Sequence, residues 1–401
     1  MRILQLHNRY QQAGGEDVVV GAEHDLLVDR GHDVRLLQAD NAEIDSFVAR
    51  LRTSFGVVYS RRGRRRLADA IARFRPDVVH VHNFFPLFSP AVYYACRTAG
   101  VPVVQTLHNY RLLCANSLLF RDGHVCEECV GRSFAWPAIA HACYRGSRAG
   151  TASIAIMQAS HRIARTWQER VDLYIALTEF SRAKLVEGGL PADKIVVKPN
   201  FASRDIATGN GRGGYALFVG RLSPEKGLDV LLEAWKRMRM SIPLRIVGDG
   251  PLAGRVREAA GESVSYLGPR EKSEVLGLMQ SASLLILPSM WYEGFPMVIV
   301  EAFQVGLPVV ASDLGSLSSL VTPGRTGLLF RPGDPSALAE RVEWAFAHPE
   351  ELSRMRRQAR AEHEANYTPE RNYELLMQIY DRVINKTNAR QEDLEEVAVS
   401  S

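Results

Sequence analysis

Two cations five residues apart in this sequence could hold phosphate oxygens. They are Arg221 and Lys226, within Gly220-Arg221-Leu222-Ser223-Pro224-Glu225-Lys226-Gly227. An arginine fork and a lysine point charge both suit phosphate oxygens. A helix N-terminus just beyond them would add partial positive charge. Such a set would hold a diphosphate and stabilise it as it leaves; as bare residues, they also suit a solvated turn. A second constellation runs from Trp291 to Glu301 and places Glu293 and Glu301 with seven residues between them. Gly294, Phe295, Pro296 and Met297 follow the first glutamate. Carboxylates can hold sugar hydroxyls by paired hydrogen bonds, and the backbone amides of Gly294 to Met297 could hold an anion. The alternative is a helix with a capping acid and an exposed glutamate. Near the start, Gly14-Gly15 does not match G-x-G-x-x-G, so a dinucleotide fingerprint is not supported. Two adjacent glycines before a helix still let a backbone approach a phosphate or sugar closely.

The elements that must position these residues alternate between short apolar strands and helical patterns. Strands are predicted at Arg2–His7, Val34–Leu37, Asp77–His82, Val101–His108, Leu173–Leu177 and Lys194–Val197. A Gly-rich, apolar-poor stretch, 199–214, then interrupts the pattern and is expected to be an interdomain linker. The alternation restarts with strands at Tyr215–Gly220, Leu244–Val247, Val264–Leu267, Leu284–Leu287, Pro308–Ala311 and Gly327–Phe330. This rhythm predicts an α/β fold of two tandem, Rossmann-like, doubly wound parallel-sheet domains. Ligands of such sheets bind beyond the carboxyl ends of strands. Gly14-Gly15, His82, His108, Gly220-Arg221, Gly248-Asp249-Gly250 and Glu293 all fall at predicted strand ends.

The chain resembles the family-four retaining glycosyltransferases of the GT-B fold. The resemblance rests on G-G-E near the start, G-R-L-S-P-E-K-G, V-G-D-G-P, the two glutamates with E-G-F-P, and V-A-S-D-L-G, in that order, from residue 1 to about 385. It implies two domains facing a central cleft: 1–198 on the acceptor side and 215–368 for the nucleotide sugar. A last helix, 369–385, would return to the first domain, and 386–401 would be a disordered tail. It implies that Arg221 and Lys226 bind the donor diphosphate and that Glu293 holds the donor sugar, with the amides of Gly294, Phe295 and Met297 nearby. Glu301 would hold the ribose, Asp249 would belong to the substrate-binding set, and Gly14 and Gly15 would approach the diphosphate. His108 resembles the family's active-site histidine. The implied reaction moves a sugar from a nucleotide-diphosphate sugar to a glycan or polyprenyl-linked acceptor, with retention and with no cofactor required for catalysis. Its setting would be cell-surface polysaccharide or glycolipid synthesis. A nucleotide-sugar epimerase and a non-catalytic sugar- or membrane-binding scaffold are the other readings of the same architecture.

Four cysteines, Cys114, Cys126, Cys129 and Cys143, cluster in the segment after His108, the middle pair spaced C-x2-C. That spacing suits tetrahedral zinc, so a structural zinc is one expectation and reduced, metal-free thiols the other. His80 and His82 alternate along a strand and share a face.

Composition bounds the rest. The chain has 401 residues, a net charge of +4, 46% hydrophobic and 23% charged residues, which excludes disorder and a small disulfide scaffold and fits two or three domains. No apolar run is long enough to span a bilayer, and the first residues do not read as a signal peptide. A cytoplasmic protein, peripheral at the inner membrane face, is expected. Seven arginines and no acid lie between Arg50 and Arg66; setting them aside turns +4 into −3. Interleaved with Phe47, Leu51, Phe55 and Tyr59, that strip could contact an anionic membrane or lie as a solvated helix face. No nucleic-acid motif accompanies it. The base, the sugar and the acceptor have no residue-level code here.

Overall fold

The structure is a computed structural model and describes residues 1–9, 14–41, 56–202 and 206–399. Two compact units divide the chain. The first comprises Met1–Leu118, Glu127–Pro199 and Asn372–Ser401; the second comprises Leu119–Cys126 and Asn200–Arg371. Each is built on its own six-stranded parallel sheet, as the alternation of elements predicts.

In the first unit the strands are β1 (Arg2–Arg9), β2 (Asp33–Asp40), β3 (Val78–Asn83), β4 (Val103–Leu107), β7 (Leu173–Ala176) and β8 (Ile195–Val197). Short strands β5 (Phe120–Arg121) and β6 (His124–Val125), which are counted with the second unit, form a separate antiparallel pair. The sheet order is β2-β1-β3-β4-β7-β8, so the chain reverses direction of progress between β1 and β3. β3 is buried at every position because helices cover both faces, which is why even its polar residues read inside an apolar run. One face of this sheet is closed by the C-terminal helix Pro369–Val399. Its Leu376, Ile379, Tyr380 and Val383 pack with Ile3, Val78, Val104, Leu173 and Ile175.

In the second unit β9 (Ala216–Val219), β10 (Leu244–Val247), β11 (Val264–Gly268), β12 (Leu284–Leu287), β13 (Val309–Ser312) and β14 (Gly327–Phe330) order as β11-β10-β9-β12-β13-β14. The reversal lies between β9 and β12. Alternate residues of β12 feed two cores: Leu285 and Leu287 on one face, Leu284 and Ile286 on the other.

The stretch 199–214, expected as an interdomain linker, begins where the two units divide, between Pro199 and Asn200, and its described part packs onto the second unit. Gly209 and Gly213 donate backbone hydrogen bonds to Val305 and Ser281, and a Cβ on Gly209 would meet the Gln280 backbone at 2.2 Å. Here the glycines serve close approach rather than flexibility. Of the stretch 386–401, expected as a disordered tail, the described part continues the last helix as far as Val399. Lys386–Val399 contains neither glycine nor proline and is rich in Glu, Gln, Arg and Ala, so no residue stops the helix.

Candidate functional site

In the second unit Lys226 and the first glutamate meet at the strand reversal. The loop after β9 is fixed by glycines on two sides. Gly248, at φ +139°, leaves so little room that a Cβ would sit 1.9 Å from the Gly220 carbonyl oxygen. Gly227, at φ +71°, lies against Pro288 beyond β12, where a Cβ would come within 1.8 Å of its carbonyl oxygen. Leu222 donates its amide to the Asp249 carbonyl at 2.9 Å. This docking carries Lys226 to Glu293: Nζ lies 2.7 Å from Oε1, and the Ser289 hydroxyl donates to the same oxygen at 2.7 Å. Glu293 is buried, whereas Lys226 keeps a partly open face and lies 5.4 Å from the centre of the Trp291 ring.

The other residues of the set are placed less tightly. Arg221 is exposed and has no ion pair among the described residues. Asp249 is exposed, and its Oδ1 accepts from the Gly250 amide. Helix Met297–Gln304 starts just after Glu293; its Ile299 amide donates to the Pro296 carbonyl at 3.0 Å, and the amides before it have no intrahelical acceptor. The Gly294 carbonyl accepts from the Ser316 hydroxyl at 3.2 Å. Glu301, four residues into that helix, pairs with Lys272 at 3.1 Å. Sequence reasoning had no signal for this partner. The arrangement provides a lysine and free amides able to receive an anion, beside a carboxylate able to accept from hydroxyl groups.

In the first unit the strand reversal holds a buried polar chain. His108, just after β4, has Nε2 3.2 Å from Nδ1 of His82, and the two rings stack at 5.5 Å. His82 Nε2 lies 3.3 Å from Glu23 Oε1, and Glu23 Oε2 lies 3.2 Å from Lys198 Nζ. His80 has Nδ1 2.7 Å from the Tyr380 hydroxyl and 3.1 Å from Glu23, and Nε2 2.8 Å from Thr106. Burial, then the neighbouring His80, pushes His82 down to about 3. Burial and His82 hold His108 well below the usual imidazole range. Burial alone would raise Glu23, but Lys198, His80 and His82 outweigh it and hold the carboxyl well below its ordinary value. Glu23 and Lys198 escaped the sequence reading. The signal for Glu23 was present: it falls on the same helical stripe as the buried Val19, Val20, Leu26 and Leu27.

Gly14 and Gly15 open the helix Gly15–Asp29, and a Cβ on either would meet no described atom within 4 Å. The Gly14 amide is already used, donating to Asp17 Oδ2 at 2.9 Å, while Asp17 Oδ1 meets His7 at 2.8 Å. All five cysteines are free thiols. Cys114, Cys129 and Cys143 do not converge within the first unit, and Cys126 is counted with the second. Among the described residues, the group with three ligand atoms close together is Glu23, His80 and His82.

Of the basic strip, Arg50 and Arg52 lie outside the described residues. Arg61, Arg62, Arg64, Arg65 and Arg66 stand on helix Arg61–Phe74, whose apolar residues Leu67, Ile71 and Phe74 are buried. Its apolar face therefore belongs to the unit's own core. Arg64 meets the Tyr59 hydroxyl and Arg66 the Gln38 carbonyl, leaving Arg61, Arg62 and Arg65 exposed. No described helix is long and apolar enough to cross a membrane.

Comparison with known proteins agrees with this architecture. Residues 202–362 match the model of glycosyl transferases group 1, and residues 14–200 match the glycosyl transferase 4-like domain. Glycogen synthase of Mycobacterium tuberculosis is 27% identical over 307 residues, covering 72% of this chain and 64% of that protein. Phosphatidyl-myo-inositol mannosyltransferase of Mycobacterium leprae is 32% identical over 191 residues, covering 44% and 50%. The chain thus spans less than two thirds of the length of these curated relatives. Among solved structures, Anabaena HepE in complex with UDP superposes with a TM-score of 0.67 at 18% identity, over 95% of this chain and 100% of that one.

Proposed function

The chain belongs to the group 1 glycosyltransferases, and from that premise we propose that it transfers a sugar from a nucleotide-diphosphate sugar to a glycan or polyprenyl-linked acceptor, with retention at the anomeric carbon. The observation that carries this reading is the Lys226–Glu293 contact at the strand reversal of the second unit, fixed by Gly227 against Pro288. A diphosphate leaving group develops negative charge as the anomeric bond breaks. Lys226 and Arg221 offset that charge, and the first-turn amides after Glu293 add to the same field. An anion arriving at Lys226 draws the ammonium away from Glu293, which frees the carboxylate to accept from sugar hydroxyls. Glu301, with Lys272 beside it, takes the ribose hydroxyls. His108 belongs to the same proposed set, and its neutral ring can exchange hydrogen bonds with a substrate hydroxyl.

Two finer elements complete the reading. For Cys114, Cys126, Cys129 and Cys143 the C-x2-C spacing of the middle pair is the one feature that supports a structural zinc, since their sulfurs are not gathered among the described residues; under a tenth of an equivalent of zinc in purified protein overturns this expectation. The exposed Arg61, Arg62 and Arg65 support a peripheral position at the inner face of an anionic membrane.

The test is a panel of nucleotide sugars screened for thermal stabilisation, followed by turnover with the best donor. Lys226→Ala should lower turnover by about 10²-fold, the size expected when one group facing a developing charge is removed. A folded Lys226→Ala protein with unchanged turnover removes the assignment.

A further inference from the structure

We propose that His82 and Glu23 are positioning residues that hold His108 in a single tautomer, with hydrogen on Nε2 and a bare Nδ1. This rests on the reading of His108 as a group that meets the transferred sugar. The argument follows the chain of contacts outward from the charge. Glu23 is a buried carboxylate, held ionised by the Lys198 ammonium 3.2 Å from its Oε2. Its Oε1 stands 3.3 Å from Nε2 of His82, a nitrogen that otherwise makes no hydrogen bond among the described residues and does not meet hydrogen-bond geometry with Glu23 either, so the carboxylate acts on it through its charge. A carboxylate there favours an N–H on Nε2. Burial keeps His82 neutral, and a neutral imidazole has only one N–H, so Nδ1 of His82 carries a lone pair. The nitrogen facing it at 3.2 Å is Nε2 of His108, which must therefore be the donor. His108 is also neutral, so its remaining nitrogen, Nδ1, is an acceptor. The relay thereby makes His108 a fixed hydrogen-bond acceptor for a substrate hydroxyl.

The other charged and titratable groups around the chain fit this assignment. His80 is occupied by Tyr380 and Thr106 as well as Glu23. His7 is turned to Asp17. Gln5 donates to Glu23 Oε1 at 3.4 Å and leaves its own carbonyl to His24. Glu23, His80 and His82 are close enough for a metal ion, but Lys198 already supplies the positive charge that Glu23 needs. A divalent ion would bring a second cation into the same closed space.

The full chain, labelled with 15N in histidine, tests the proposal by long-range 1H–15N spectra, with His108→Asn used to assign the His108 ring. Between pH 5.5 and 7.5 we expect His108 to show a protonated Nε2 and an unprotonated Nδ1. In His82→Phe the preference should collapse into a mixture of tautomers. In His82→Asn, whose amide oxygen can stand in for Nδ1, it should persist. If the phenylalanine variant does not fold, His82→Gln, whose amide reaches Glu23 and not His108, should give the same mixture. A wild-type His108 protonated on Nδ1, or an unchanged tautomer in His82→Phe or His82→Gln, overturns the proposal. With the best nucleotide sugar, His82→Phe should lower kcat at least tenfold with KM within twofold, and His82→Asn should recover most of the loss. The spectra need no substrate. Absence of turnover in the wild type therefore refutes the transferase reading alone, and a wrong tautomer refutes the relay alone.

Discussion

Keeping His82 neutral makes the first unit sensitive to acid, and the size of the effect can be worked out. An unfolded chain binds a proton at His82 near the ordinary value of 6.5, whereas the folded unit resists it down to about 3. Stability from this group is therefore complete above pH 6.5 and falls as the pH drops toward 3, because protons favour the unfolded state throughout that window. At about 1.36 kcal/mol per unit, the full loss is on the order of 5 kcal/mol. At pH 5.0 the unfolded histidine is almost fully charged, and the loss relative to pH 7.5 is about 2 kcal/mol. His108, also held neutral by burial and by His82, adds in the same direction. Glu23 contributes a further loss only below its ordinary carboxyl range, where its depressed folded value lets the unfolded state take protons first. Hydrogen exchange of peptides from β3 and β4 reports the stability of this unit by itself. After correction for intrinsic rates, a 2 kcal/mol loss corresponds to a ~30-fold drop in protection from pH 7.5 to 5.0. In His82→Asn, which cannot titrate, that drop should shrink by about this factor. Parallel pH profiles for wild type and variant, or protection that rises on acidification, would refute the reasoning.

Other perturbations probe other parts of the molecule. Gly248→Ala adds a Cβ where the Gly220 carbonyl stands 1.9 Å away, at a φ that alanine avoids, and should cost at least about 2 kcal/mol by calorimetry, with weaker donor binding as the β9 loop shifts. Leu376→Ala empties a fully buried site in the C-terminal helix and should lower stability by about 2–5 kcal/mol, seen as faster exchange in the first unit. Reversing Arg61, Arg62 and Arg65 to glutamate should abolish sedimentation with anionic vesicles at low salt, since each basic residue near such a surface contributes about 1 kcal/mol. Equal binding of the wild type to neutral and anionic vesicles would remove the electrostatic argument.

The sequence shows the strands clearly because a parallel sheet covered on both faces needs nearly continuous apolar runs, as β9 and β12 show and β3 shows around its two histidines. It also shows that Arg221, Glu293, His82 and His108 stand at or shortly after strand ends. What it hides are partners set by long-range packing. Lys198 meets Glu23 across 175 positions, and no local pattern encodes the meeting. Lys272 is an ordinary first-turn lysine until folding brings it to Glu301. Gly209 and Gly213 look like hinge residues because close backbone approach and freedom demand the same amino acid. The basic strip differs again: helix Arg61–Phe74, which carries its last five arginines, buries Leu67, Ile71 and Phe74 in the unit's interior and leaves Arg61, Arg62 and Arg65 exposed.

The return of the C-terminal helix to the first unit sets an order of events during synthesis. When the ribosome has finished Pro199, the six strands of the first sheet exist, yet the residues that close one face have not been made. Ile3, Val78, Val104, Leu173 and Ile175 must wait for Asn200–Arg371 to be translated before Leu376, Ile379, Tyr380 and Val383 arrive. At ~5–20 residues per second, that interval is roughly 10–30 s. Tyr380, which also meets His80, is among the late arrivals. The polar chain behind His108 is therefore completed last, so a prematurely ended polypeptide carries the unit's other residues without a finished interior.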